Sequence, residues 1–464
     1  MKLISLLLLF TVSGLNCYCQ EYSIKATIRN QPEHTIYLYQ VKGDQFKVLD
    51  STVCNNGILT FKLKEDYLPG VYQLILGQKP GNMYRQSIPV SVNLIFNKEN
   101  IELITDYNHP SDSLQIITSK ENRMYYEFSK KEKEFQIKLE LLHPLIVNYP
   151  ETDPYYKQIV QQYNRLQKNR NAYIDSMATA HSGLFASGII KMYRSPFLDA
   201  TVTEEKRVQY YKDHYFDKLD FTDESLLNTS IYSDKIIRYL MFYRNPELTQ
   251  SEQEDEFIKA VDIILPYTNI NDTVYDFVLD YLVRGFEQFN MEKVLNHIAD
   301  NYLDKKCKTD NTSLLKKRLE AYRKMAIGKT APEIQIPDIN GKEITLSSVK
   351  NEYVLVLFWA TWCPHCNQLL PDIKEWYNSD DRIDLEVITI SLDTVRSEWE
   401  EVIREGAYTW INCSDLKGWN GKTEQDYNIY ATPTMFLLDR QRKILAKPVA
   451  FRELMVEIRN LDGE

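Results

Sequence analysis

The alternation of apolar and polar positions divides the chain into three stretches. From Glu21 to about Asp106 the apolar residues recur at every second position in short runs. Tyr22-Ser23-Ile24-Lys25-Ala26-Thr27-Ile28 alternates strictly, Thr35 to Tyr39 follows a proline-containing turn, and further runs span Leu59 to Leu63, Gly70 to Leu76 and Val90 to Phe96. A period of two puts one face of a strand on a core and the other in water, so this stretch predicts a small antiparallel β-sandwich or half-barrel. From about Arg123 to Lys324 the apolar and aromatic residues fall three and four apart. That spacing predicts helices over Tyr125 to Leu142, Tyr155 to Ala178, Glu204 to Tyr215, Glu252 to Leu265, Thr273 to Phe289 and Met291 to Tyr302. Pro144, Pro150, Pro196, Pro246 and Pro266 punctuate them.

After Lys324 the pattern changes again. A hairpin is expected from Ile334 to Leu346 about Asn340-Gly341, and then Val354-Leu355-Val356-Leu357-Phe358-Trp359 forms the continuous apolar run of a strand buried on both faces. Leu369, Leu370, Ile373 and Trp376 repeat at helical spacing behind it. A strand from Leu385 to Ser391, a helix from Ser397 to Glu405, paired strands at Thr434 to Leu438 and Lys443 to Ala446, and a helix from Arg452 to Leu461 complete a three-layer α/β domain.

Composition narrows the function. The 464 residues are long enough for several domains, and a net charge of -10 leaves no broad basic surface for nucleic acid. Lys2 followed by the apolar run Leu3 to Val12 has the shape of an export signal and is too short to span a bilayer. Cleavage after Cys19 is the expectation, with lipid attachment at Cys17 the less favoured alternative because Asn16 sits where a small residue is required. No later apolar run is long enough for a transmembrane segment in the mature chain. The address is therefore periplasm or cell envelope. Seven cysteines become five after that cleavage, and of Cys54, Cys307, Cys363, Cys366 and Cys413 only one pair is close in sequence. The fold must rest on hydrophobic burial rather than on a disulfide framework.

That pair carries the chemistry. In Trp362-Cys363-Pro364-His365-Cys366 the first cysteine falls where the buried strand turns into the helix. Unsatisfied N–H groups and the helix dipole favour an anion there, and the thiolate is the form of cysteine that attacks disulfides. Cys366 lies one turn on, placed to close or reopen a disulfide with Cys363. His365 between them would add positive charge or an N–H donor. A zinc site would need two further Cys or His ligands, and the seven histidines are scattered singly, so no metal or other cofactor is expected.

From about residue 326 onward the chain resembles the thioredoxin-fold domain of exported thiol-disulfide oxidoreductases of the TlpA and ResA type. The likeness is carried by Gly328-Lys329-Thr330-Ala331-Pro332-Glu333, by Phe358 to Cys366, by Pro371 and by Ala431-Thr432-Pro433-Thr434-Met435-Phe436-Leu437-Leu438-Asp439. Two upstream stretches resemble uncharacterised modules found ahead of such domains: Asp50-Ser51 with Asn56-Gly57 in the β region, and Asp213 to Phe221 with Leu226-Leu227 in the helical one. The fold class that follows is multidomain, with an N-terminal antiparallel β-sandwich, an all-α middle region and a C-terminal thioredoxin-like three-layer α/β domain. The boundaries expected are 1–19 for the signal peptide, 20–118, 119–325 and 326–464.

The resemblance implies a cis bond before Pro433, a substrate groove formed by the Thr432 backbone and Pro433, and a rim position for Trp362. It implies disulfide-containing protein substrates and a redox partner that supplies electrons. In the expected cycle Cys363 attacks a substrate disulfide and Cys366 resolves the mixed disulfide. A peroxidase is set aside, because Thr361 stands only two residues before Cys363 and the matching proline is missing. Direction is less determined. The Pro364-His365 insert equals that of DsbA-type oxidases, about 150 mV more oxidising than thioredoxin, whereas the rest of the domain resembles reductases. Reduction or isomerisation is expected, with disulfide donation as the alternative and a partner-binding scaffold as the alternative outside catalysis. Two departures bear on the resolving step: Leu357 stands where thioredoxin has a buried Asp, and Leu369 where the ResA type has a Glu.

Overall fold

A computed structural model describes residues 21–54, 56–79, 88–302, 310–380 and 382–462. The expected export signal, with Cys17 and Cys19, and Cys307 lie outside the described residues. By compactness the chain forms two units, one running to Pro246 and including Asp262–Tyr281, the other combining Glu247–Val261 with the residues from Leu282 onward.

In the first unit the strands are β1 (Tyr22–Arg29), β2 (Thr35–Lys42), β3 (Gln45–Val53), β4 (Ile58–Leu63), β5 (Gly70–Lys79), β6 (Ile88–Phe96), β7 (Ile101–Asp106) and β8 (Gln115–Thr118). They form two sheets, ordered β4-β1-β7-β8 and β3-β2-β5-β6. The alternation in β1 does what its period predicts: Ile24, Ala26 and Ile28 are buried and Lys25 and Thr27 exposed. Ile24, Phe61, Tyr72, Leu94 and Ile101 meet in one core. Pairing is antiparallel except between β1 and β7, which run parallel. β3 had no signature in the sequence because it is an edge strand with nearly every side chain exposed, so it has no apolar period.

The helices are α1 (Lys120–Asn148), α2 (Pro154–Ala180), α3 (Phe185–Lys191), α4 (Glu204–His214), α5 (Ile231–Met241), α6 (Gln250–Thr268), α7 (Asp272–Gln288), α8 (Glu292–Tyr302) and α9 (Asp310–Lys324). The division between the units falls within α6 and α7. Pro144 and Pro266 do not end helices but lie inside α1 and α6. At Pro144 the carbonyl deprived of its donor belongs to exposed Glu140, where water can replace the lost bond. The sandwich is tied to α1 by Asn122, buried, which donates to Ile95 O and accepts from Ile95 N. Glu121 in turn accepts from the N–H groups of Phe185 and Ala186 at the start of α3. Two tyrosines of the helical region bury more than their rings. Tyr232 and Tyr239 are fully enclosed, and their hydroxyls donate to backbone carbonyls.

In the second unit β9 (Gln335–Pro337) and β10 (Glu343–Thr345) form the hairpin. A five-stranded sheet follows, ordered β13-β12-β11-β14-β15. Its strands are β11 (Tyr353–Trp359), β12 (Leu385–Ser391), β13 (Ile411–Cys413), β14 (Thr434–Leu438) and β15 (Ile444–Ala446). The first three run parallel, and β14 pairs antiparallel with both β11 and β15. Helices α10 (Pro364–Tyr377), α11 (Arg396–Gly406), α12 (Lys422–Asp426) and α13 (Phe451–Asp462) accompany it. Every side chain from Val354 to Trp359 is fully buried, which is why β11 reads as an unbroken apolar run and occupies the centre of the sheet. No helix among the described residues is long and apolar enough to cross a membrane.

Candidate active site

β11 delivers the chain to the middle of the sheet edge, and a turn closed by Cys363 N–H donating to Ala360 O (3.2 Å) carries it into α10. Cys363 is the N-cap of that helix, its Sγ accepting the Cys366 N–H at 3.2 Å. Pro364 takes the first helical position, where a missing N–H costs nothing. Both cysteines are free thiols and both are buried, Cys363 at 4% exposure and Cys366 at 0%. The Cys363 Sγ also lies 3.4 Å from the carbonyl oxygen of Thr432, 69 residues away. Pairing of Phe358 with Thr434 across β11 and β14 creates this approach, because it sets the turn before β14 beside the turn after β11. The Thr432–Pro433 bond is cis.

Burial opposes ionisation of both thiols, and their surroundings then part them. At Cys363 the penalty is outweighed by hydrogen bonds from the Cys366 thiol, the Thr432 side chain and the backbone N–H groups of Cys366 and His365, so this thiol ionises below the ordinary thiol range. At Cys366 burial dominates, the neighbouring Cys363 adds to it, and the Ala360 backbone offsets only part, so this thiol is pushed well up. Of the two thiols, Cys363 is therefore the one that ionises first and Cys366 the one that holds its proton longer. His365 acts here through its backbone N–H, while its imidazole is exposed.

Trp362 is 55% exposed beside the dithiol, and its ring lies 6.2 Å from that of Trp419, itself 44% exposed. Leu357 and Leu369 are buried, so neither position supplies a carboxylate. Among the described residues no group of three or more His, Cys, Asp or Glu could hold a metal ion. Trp419 and the buried Asp393, which accepts hydrogen bonds from Thr361, were not distinguished by sequence pattern. Each sits in a connection whose position only the sheet determines.

A central parallel β11–β12 pair, an antiparallel β14 and a Cys-x-x-Cys at the start of α10 define a thioredoxin-like redoxin domain. Residues 327–447 match the AhpC/TSA family model, and residues 22–125 match a domain of unknown function, DUF4369. The chain is 30% identical over 122 residues to the thiol-disulfide oxidoreductase ResA of Bacillus thuringiensis subsp. konkukian, covering 26% of this chain and 69% of that protein. It is 31% identical over 124 residues to ResA of Bacillus cereus, covering 27% and 70%. Among solved structures, the C-terminal domain of a putative thiol-disulfide oxidoreductase from Bacteroides thetaiotaomicron is 32% identical, covering 30% of this chain and 96% of that one with a TM-score of 0.28. Through its C-terminal domain the chain belongs to the ResA family of thiol-disulfide oxidoreductases.

Proposed function

We propose that this protein is an exported reductase or isomerase of protein disulfides, with Cys363 as nucleophile and Cys366 as resolving thiol. The observation that carries the reading is the asymmetry of the pair. Cys363, which accepts the Cys366 N–H at the start of a helix, is the thiol whose ionisation is favoured, and that of enclosed Cys366 is opposed. The Cys363 thiolate attacks one sulfur of a substrate disulfide and expels the other as a thiolate that takes up a proton. Cys366 then loses its proton, attacks Cys363 Sγ and releases the second substrate thiol. Two electrons pass from the dithiol to the substrate, and a redox partner returns them. Thr432 and Pro433 would line the groove, with Trp362 on its rim. Peroxide chemistry is disfavoured by Thr361, whose hydroxyl donates to Asp393 at 2.7 Å and is not free for a substrate at Cys363. The residues 20–118 and 119–325 serve in this reading as modules that position the redox domain, with residues 1–19 as the export signal.

The test combines mutants with a potential. Cys363→Ser should abolish insulin reduction, and Cys366→Ser should accumulate the mixed disulfide. Intact partner binding by a parent protein without turnover would instead make the domain a recognition module. The midpoint potential of the pair, from equilibration in graded glutathione or dithiothreitol buffers, should lie near or below about -200 mV. A value near about -120 mV would make the protein a disulfide donor and overturn the direction.

A further inference from the structure

Trp359 and Ser391 are the last paired residues of β11 and β12, and the Leu392 N–H still donates to Trp359 O at 2.8 Å. Two residues beyond that register the strands have become loops, which sets Thr361 beside Asp393. Asp393 is 1% exposed and is filled by donors: Thr361 N–H at 3.2 and 3.1 Å to its two oxygens, Thr361 Oγ1 at 2.7 Å and Ser391 Oγ at 2.6 Å. Its own N–H donates to Ser391 Oγ at 3.0 Å. On the other side of the same residue, Thr361 O accepts from Asn367 Nδ2 at 3.0 Å. The residue two before Cys363 is therefore held at its N–H and hydroxyl by a buried carboxylate and at its carbonyl by α10.

We propose that Asp393 is a positioning residue for the dithiol, fixing the 360–363 turn so that the Cys363 sulfur stays within reach of the Cys366 N–H and beside the turn that precedes β14. This inference rests on the disulfide-exchange reading of the site. Bonds to an ionised acceptor are about twice as strong as neutral ones, and three donors make the carboxylate a rigid anchor rather than a mobile charge. The bond it protects is long and weak by comparison, 3.2 Å to the Cys363 sulfur from Cys366 N. A slip of the turn by about 1 Å would break it, and displacement of that size at a reacting atom costs on the order of 10²-fold in rate. Asp393 does not touch the sulfurs in this arrangement and acts through Thr361. Leu357 and Leu369 leave the dithiol without a carboxylate at either family position, so the acid at residue 393 holds the loop instead of serving Cys366 as a base.

The experiment uses the full chain with Asp393→Ala, Asp393→Asn, Thr361→Val and the Asp393→Ala/Thr361→Val pair. It reads the pH dependence of Cys363 alkylation by iodoacetamide, insulin turnover, and thermal unfolding. In folded Asp393→Ala the alkylation midpoint should rise toward that of an ordinary thiol, and turnover should fall at least 10-fold. Asp393→Asn, which keeps an acceptor for the Thr361 N–H, should recover most of the loss, and the double variant should be no worse than Asp393→Ala. An unchanged alkylation midpoint in a folded Asp393→Ala protein, whether or not its unfolding temperature drops, overturns the proposal and leaves Asp393 a structural residue. If the parent itself fails to turn over insulin while its alkylation midpoint still moves with Asp393, the positioning role stands and the disulfide-exchange reading falls.

Discussion

Replacing Leu369 with glutamate should accelerate the resolving half of the cycle. Burial chiefly, and Cys363 secondarily, push the Cys366 thiol from 9.0 up to about 12. At neutral pH three units reduce its thiolate population about 10³-fold, while a Brønsted slope of roughly 0.4–0.5 returns about 16- to 32-fold in nucleophilicity. The net deficit is on the order of 30- to 60-fold. It is an upper bound, because in the mixed disulfide Cys363 no longer contributes and burial alone remains. Leu369 lies three residues after Cys366 in α10, on the same helical face, and is only 7% exposed. A carboxylate there can take the Cys366 proton, and general bases contribute roughly 10²- to 10⁴-fold when well placed. Leu369→Glu should therefore speed resolution at least 10-fold at pH 7, leave the first attack unchanged, and cost about 2 kcal/mol of stability through the lost apolar burial. Acid-quenched single turnovers with a model disulfide, with the mixed disulfide counted by mass, separate the two steps. The reasoning is refuted if the parent resolves as fast as it attacks, or if a folded Leu369→Glu protein accumulates as much mixed disulfide as the parent.

Two further outcomes follow from the same structure. Alkylation of Cys363 should titrate with a midpoint below the ordinary thiol value of about 8.5, because Cys366, Thr432 and the helix-start N–H groups favour the anion; a midpoint at or above that value contradicts the geometry. Glu424 is 1% exposed, and burial, offset only in part by its own backbone N–H and by Lys417 and reinforced by Asp415, pushes its carboxyl up to about 7. Its raised folded value means that stability is fully present below the unfolded value of about 4.3 and is lost as pH rises toward 7. Glu424→Gln escapes that loss, so chemical denaturation should find the variant's advantage growing from pH 4.5 to 8 by about 3 kcal/mol, and a flat difference over that range would contradict the assignment.

The parts of the fold that were legible are those with a strong period or an unbroken apolar run. β1, β11, β12 and β14 announced themselves because burial on one face or both leaves a pattern that local sequence must carry. β3 and the three-residue β13 did not, since an exposed edge and a very short strand leave no period. Helix ends set at Pro144 and Pro266 were misplaced because a proline on a solvated face interrupts one hydrogen bond without stopping the helix.

The sequence by itself located the candidate chemistry: two cysteines at Cys-x-x-Cys spacing, at a strand-to-helix junction. Only the tertiary structure decided what makes the two thiols unequal. The Thr432 side chain reaches Cys363 from 69 residues away, and Asp393 reaches Thr361 across 32, through the register of β11 with β14 and with β12. Register is a property of paired strands, and hydrogen bonds that depend on it leave no trace in the local order of residues.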